Sequence, residues 1–322
     1  MKKLLVILVS LLVGFSQAFA VEKWDMPTPY PSGNFHTVNI QKFAEDVEKL
    51  TGGNIKITVH PDASLFKMTE IKRAVQNAQV QIGEVIFSSL ENEDPIMGID
   101  SIPFLASGYD EAQKLWQVSR PVIEKKFEAQ GLKILFSVPW PPQGLYTKKP
   151  IDSIEDMKGL KLRSYNPTIS RIAELVGAQP VTIQAAELAQ ALATGVVNAF
   201  ISSSATGVDT KAWEQMTYFY DIKAWLPKNV VFVNKKVFDA LPNDQKEAVL
   251  KAAQMAEERG WNMSKENYES TKKTLSEKMK VMEPSDRLKK ELAEVGLKLQ
   301  EDWLKRAGKE GEELLNAFKS QK

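Results

Sequence analysis

The stretch Gly159-Leu-Lys-Leu-Arg-Ser-Tyr-Asn-Pro puts Arg163 at the end of an expected strand, three residues before Asn166. A guanidinium there offers two parallel N–H donors that match a carboxylate. Asn166 and Pro167 predict a helix start, as N-cap and first helical residue, which adds partial positive charge beside the arginine. The competing reading is a strand-end arginine that is solvated or ion-paired. Asn166 itself is either a ligand contact or a cap alone.

Other polar and aromatic groups fall in loops of the kind that carry ligands at strand ends. Trp140 and Tyr146 lie in "VPWPPQGLYTK", where proline-stiffened aromatics are costly to leave exposed; they line a pocket or pack between lobes. Tyr165 follows Arg163. In "ISSSATG", Ser202 and Ser203 offer hydroxyls for an acid, or make a plain polar turn. Phe35, His36 and Asn39, with Asn34, surround the first loop-to-helix turn and could reach a cleft; His36 serves equally as part of a helix cap. Ser88, with Ser89 and Asn92, follows "IGEVIF" in a loop that could face the same cleft. Glu84 is the one candidate general base, and a structural glutamate is the plainer reading.

Composition removes whole classes of chemistry. The 322 residues contain no cysteine, two histidines and a net charge of +1. Thiol catalysis, cysteine-ligated metals, disulfides and an acylated cysteine at the N-terminus are excluded. His36 and His60 lack helical metal spacing, no triad is legible, and neither a metal nor a cofactor is expected. Acids and bases are interspersed with no basic block, which argues against nucleic acid. Residues 1–20 have the layout of a secretory signal peptide: Lys2-Lys3, an apolar run from Leu4 to Phe15, and Ala18-Phe19-Ala20 before cleavage after Ala20. The expected location is therefore the periplasm.

The elements that must hold these groups read as alternating α and β. Val21–Met26 predicts a strand, Phe43, Val47 and Leu50 one helix face, Gly52-Gly53 its end, and "IKITVHP" a half-buried strand. Helix, glycine and strand then recur at least four times with no fixed period, and Ile71, Val75 and Ala78 are read as one face of the second helix. Beyond Phe238 the chain is helical and charged, with Asn243 read as a cap; its lysines and glutamates read as a solvated face. These exposed helices permit a dimer without requiring one.

Five stretches together are similar to the solute-binding proteins of tripartite ATP-independent periplasmic (TRAP) transporters. They are "FAEDVEKLTGGNIKITVHPDASLF", "IDSIPFL", "IEDMKGLKLRSYNP", "LAQALATGVVNAF" and "VVFVNKKVFDALPNDQKEAVLKAA", in family order from Phe43 to Ala253. The resemblance implies an α/β, two-lobed, type II-like periplasmic binding protein with crossing strands and a long connecting helix. Lobe I would take residues 21–143 plus about 229–270, and lobe II residues 144–228 plus about 271–322. It implies a small organic acid as ligand, TRAP permease subunits as partners, and no enzymatic activity. Arg163 stands at the position of the family's carboxylate-pairing arginine, and Ser202 where most members have an asparagine. That departure points to a smaller 2-oxo or 2-hydroxy monocarboxylate, aromatic ones included, for which Trp140, Tyr146 and Tyr165 would supply a flat surface. A partner of a sensor kinase is the alternative function, and an exported enzyme acting on a carboxylate a further one.

Overall fold

The computed structural model describes residues 21–321. The expected signal peptide and its cleavage site lie outside the described residues.

The chain begins with β1 (Glu22–Pro27), α1 (Phe35–Leu50) and β2 (Ile55–His60), and β1 pairs with β2 in parallel. Asn34 caps α1 by accepting from the His36 N–H, and Gly52 and Gly53 end it at positive φ. Next come α2 (Met68–Gln76), β3 (Ile82–Ile86), α3 (Tyr109–Ala129) and β4 (Leu132–Pro139). The expected face of α2 is one residue group too long: the helix stops at Gln76, and Ala78 is an exposed turn residue at φ 55°.

From there the chain leaves for a second sheet. It forms β5 (Gln143–Thr147), β6 (Lys161–Ser164), α4 (Pro167–Leu175), β7 (Gln179–Thr182), α5 (Leu188–Ala193), β8 (Ala199–Ser203), α6 (Ser204–Asp209) and β9 (Tyr218–Tyr220). It returns along β10 (Lys228–Asn234) and continues through α7 (Lys235–Asp239), α8 (Asn243–Lys278), β11 (Lys280–Met282) and α9 (Asp286–Lys319). Pro242, not Asn243, is the N-cap of α8. A positive φ at Gly308 kinks α9.

Two lobes result. In the first, β10 lies antiparallel between β3 and β4. In the second, six strands run in the order β11-β9-β5-β8-β6-β7. The two crossings between them are bonded together: Trp140 N–H donates to the Pro227 carbonyl (2.8 Å), Gln143 N–H to Trp225 (2.9 Å) and Ala224 N–H to Gln143 (2.9 Å). Buried backbone at a crossing must find partners, and these segments supply each other.

Helix α8 packs against α1 and β4 of the first lobe and α6 of the second. Its approach is close because position 260 is glycine; a Cβ there would come within 2.4 Å of the Val138 side chain. No helix among the described residues is long and apolar enough to cross a membrane.

Candidate functional site

Between the lobes lies a cavity of about 220 Å³. The first lobe lines it with Tyr30, Met68, Ile86 and Trp140. The second contributes Arg163, Tyr165, Ser202, Thr206 and Asp209, and the crossings add Gln143 and Pro227.

Arg163 ends β6 with its guanidinium almost fully buried, at 3% exposure. Its Nε–H donates to the Ile183 carbonyl (2.9 Å), which fixes the plane and leaves the two terminal nitrogens for the cavity. Its charge lies 4.8 Å from the centre of the Tyr165 ring. No described carboxylate pairs with it, and burial pushes its pKa down to about 10, still protonated at neutral pH. Tyr165 is held in turn by its hydroxyl, which donates to Gln143 Oε1 (3.2 Å).

The opposite wall is aromatic. Trp140 and Tyr30 meet edge to face, with ring centres 5.0 Å apart. Their polar ends point away from the cavity, toward Asn229 of β10: Trp140 Nε1–H donates to Asn229 Oδ1 (2.8 Å), as does the Tyr30 hydroxyl (3.1 Å). Behind Asn229 sits Glu84 of β3, which accepts from Asn229 Nδ2 (3.1 Å) and from the Thr28 hydroxyl (2.6 Å). Burial pushes the Glu84 carboxyl up to about 7, against the pull of those two hydrogen bonds. His36 is also buried, with Nδ1 3.7 Å from Glu84, and burial lowers its pKa well below the ordinary value.

Among the described contacts that join the lobes, two lie beside the cavity. Asn34 Nδ2 donates to Asp209 (2.7 Å), and the Thr168 hydroxyl to Glu91 (2.9 Å). Asp209 is exposed at the cleft mouth, and partial desolvation raises its pKa while Asn34 opposes the rise.

Of the expected site residues, the fold brings Arg163, Trp140, Tyr165 and Ser202 to the cavity. The rest are elsewhere. Tyr146 stacks on Phe200 at 4.1 Å inside the second lobe and donates to the Ser203 carbonyl, because the pleat of β5 turns it into the sheet's own core. Asn39 ties α1 to α8, donating to the Ala256 carbonyl (2.9 Å) and accepting from Arg259 (2.8 Å). Ser203 caps α6 and Asn166 caps α4. Phe35 and His36 pack behind Trp140, with ring centres 5.4 and 4.4 Å from the indole. Ser88 is buried in the turn after β3, beyond the cavity-lining Ile86.

Glu84, the candidate base, is screened from the cavity by the aromatic wall. Residues that sequence reasoning missed include Tyr30, Gln143, Met68 and Asp209; only Tyr30, an aromatic in the proline-rich first loop, carried a signal like that of Trp140. Among the described residues no cluster of three or more His, Asp or Glu could hold a metal ion.

The fold has close counterparts. A profile of the DctP family, bacterial extracellular solute-binding protein family 7, matches residues 30–307. The extracytoplasmic solute receptor DctP6 of Bordetella pertussis, which binds pyroglutamic acid, is 51% identical, with 92% of this chain and 99% of that one covered and a TM-score of 0.91. A marine-metagenome TRAP solute-binding protein specific for pyroglutamate is 42% identical, with 94% of this chain and 100% of that one covered and a TM-score of 0.91. The C4-dicarboxylate-binding periplasmic protein DctP of Rhodobacter capsulatus is 26% identical over 71% of this chain and 69% of its own length. Matches to the curated relatives thus span about two thirds of their length. The chain belongs to bacterial extracellular solute-binding protein family 7, the DctP family of TRAP solute-binding proteins, and has the family's two-lobed α/β fold.

Proposed function

We propose that this chain captures a small monocarboxylic acid between its lobes in the periplasm, after removal of residues 1–20, and delivers it to a TRAP permease. The observation that carries this reading is Arg163. A guanidinium at 3% exposure with no described carboxylate partner is a costly arrangement that an anionic ligand relieves. Its two free nitrogens suit a bidentate carboxylate, and the Ser202 hydroxyl beside it suits a second polar atom.

The wall of Tyr30, Trp140, Met68 and Ile86 favours a compact, flat or apolar remainder. Pyroglutamate is the first ligand to test, since it is bound by relatives 51% and 42% identical to this chain. The 2-oxo and 2-hydroxy monocarboxylates suggested by Ser202 are the comparators. Ligand would favour the closed state, in which Asn34–Asp209 and Thr168–Glu91 span the cleft, by population shift. We place the lobe boundaries at the crossings near residues 143 and 228.

We expect the bound acid to leave unchanged: Glu84 lies behind the aromatic wall, and the two carboxylates that line the cavity, Asp62 and Asp209, are both exposed. A thermal-shift screen with the mature chain tests this. A ligand that binds only the folded state raises Tm in proportion to ln(1 + [L]/Kd). Pyroglutamate or a related monocarboxylate raises Tm and is recovered intact. Absence of a shift with every monocarboxylate would overturn the reading, and turnover would favour an enzyme.

A further inference from the structure

We propose that Asn229 and Glu84 are positioning residues that set which acids fit, by holding the aromatic wall from behind. The proposal rests on the reading that the acid occupies this cavity.

The direction of the network is dictated by donor chemistry. Indole Nε1–H can only donate, so the amide atom facing Trp140 at 2.8 Å must be oxygen. That oxygen also takes the Tyr30 hydroxyl at 3.1 Å. The amide nitrogen of Asn229 then faces Glu84 at 3.1 Å, where a carboxyl oxygen accepts. The second Glu84 oxygen accepts from Thr28 at 2.6 Å. Every member is buried, from 0% exposure at Thr28 to 5% at Trp140, so water cannot replace a lost partner.

The consequence is felt in the cavity. Two residues with polar tips present only ring surface to it. An acid that brings a hydroxyl to this wall loses its hydration and gains no partner, which costs affinity. Arg163 on the other wall takes any carboxylate, and Ser202, Gln143 and Thr206 offer polar partners on that side, so it is the wall of Tyr30 and Trp140 that penalises a hydroxyl turned toward the rings. Phe35 and His36 close the far side of the indole at 5.4 and 4.4 Å, which leaves it one seat. Asn229 contributes no surface to the cavity; it acts through the two rings.

The test compares two acids that share a carboxylate, pyroglutamate with its flat ring and glycerate with its hydroxyls. Their Kd values are measured by calorimetry on wild type, E84Q, E84M and N229L. E84Q keeps an oxygen that accepts from Asn229, and retains the wild-type ratio of the two affinities. E84M and N229L remove the support. Pyroglutamate, which packs on the loosened rings, then weakens about tenfold to a hundredfold, while glycerate, which packs on them less, changes less.

An unchanged ratio in E84M and N229L would overturn the proposal, as would an equal loss for both acids, which marks mere structural damage. E84Q behaving as E84M would also overturn it. If N229L fails to fold, the E84Q and E84M pair decides alone; E84M leaves the Thr28 and Asn229 donors unpaired, so its Tm is measured beside its affinities, and the T28V/E84M double variant, which removes one of those donors, replaces it if E84M does not fold. Failure of wild type to bind either acid, or any other monocarboxylate, would instead sink the function proposed above.

Discussion

On the second-lobe side of the cavity a guanidinium faces inward with its two terminal nitrogens unpaired; on the first-lobe side the polar groups face outward, chained through Asn229 to Glu84. Both sides bury charge or near-charge, yet to different ends. Arg163 is desolvated toward the cavity, so on the proposed reading its electrostatic energy would be realised when an anion arrives. Glu84 is desolvated away from the ligand, so its energy is committed at folding and appears in the cavity only as shape. One wall should therefore be read out in affinity and the other in stability and selectivity.

Removing the inward charge is the harshest way to break that contrast. R163A should weaken binding of a monocarboxylate by roughly 30-fold to several thousand-fold, the range for a buried pair that loses a partner, about 2–5 kcal/mol. Calorimetry on the variant checks it, and an unchanged Kd would mean that the carboxylate docks elsewhere.

The hidden carboxyl should register in the pH dependence of folding. Glu84 is raised from 4.5 to about 7, so between those values the folded protein holds a proton that the unfolded chain has released. This group therefore stabilises the fold on acidification. The contribution, about 3 kcal/mol, is fully present below about pH 4.5 and is lost as pH rises through about 7. His36 acts in the opposite sense: with its pKa lowered by burial, its contribution is present above about pH 6.5 and lost as pH falls through its folded value. The stability difference between wild type and E84Q isolates the first effect. Measured by urea unfolding, it should move in favour of wild type by about that amount between pH 8 and pH 4.5; a flat difference would remove the desolvated carboxyl from behind the wall.

A smaller effect separates scaffold from site. N39A breaks the tie from α1 to α8 and leaves Arg259 short of a partner, which should lower stability by about 1–3 kcal/mol. Ligand affinity should change less than about twofold, because Asn39 does not reach the cavity. A large loss of affinity with unchanged Tm would put Asn39 back in the site. The smallest change in affinity among the site variants is expected from N34A, which removes the contact to Asp209 and also the α1 N-cap, so Tm falls as well. With Asp209 exposed the contact contributes little, so affinity should fall only about twofold to fivefold, with a larger radius of gyration by small-angle scattering when ligand is subsaturating. Identical scattering and affinity would show that closure does not use this contact.

Arg163 could be found in the sequence because its signal is local: a strand, a charged end and a helix cap within eight residues. The same is true of Trp140, in a short proline-rich loop. Tyr146 carried the same signal and went the other way. It is paired with Phe200 in the register of β5 and β8, and, three residues from Gln143, an odd number of pleat steps, it lies on the opposite face of that sheet. Which face of β5 meets the cleft depends on where the sheet lies against the other lobe, and nothing in "QGLYT" records that. The network behind the wall was less visible still. Tyr30 and Asn229 are 199 residues apart, and Glu84 and Asn229 are 145 apart.

The sequence by itself determined the alternation of helix and strand, the stops at Gly52, Gly53, Gly131, Gly177 and Gly195, all at positive φ, and the cap at Asn166, because these depend on period and backbone freedom over a few residues. It also determined that an arginine stands at the end of β6. Only the tertiary structure decided that this arginine is buried without a described counter-charge, and that Asn39 and Ser203 are spent on holding helices. It alone decided that Trp140 and Tyr30 turn their donors away from the cavity. Burial and hydrogen-bond direction are set by which distant elements meet, and the two crossings between the lobes bring those elements together.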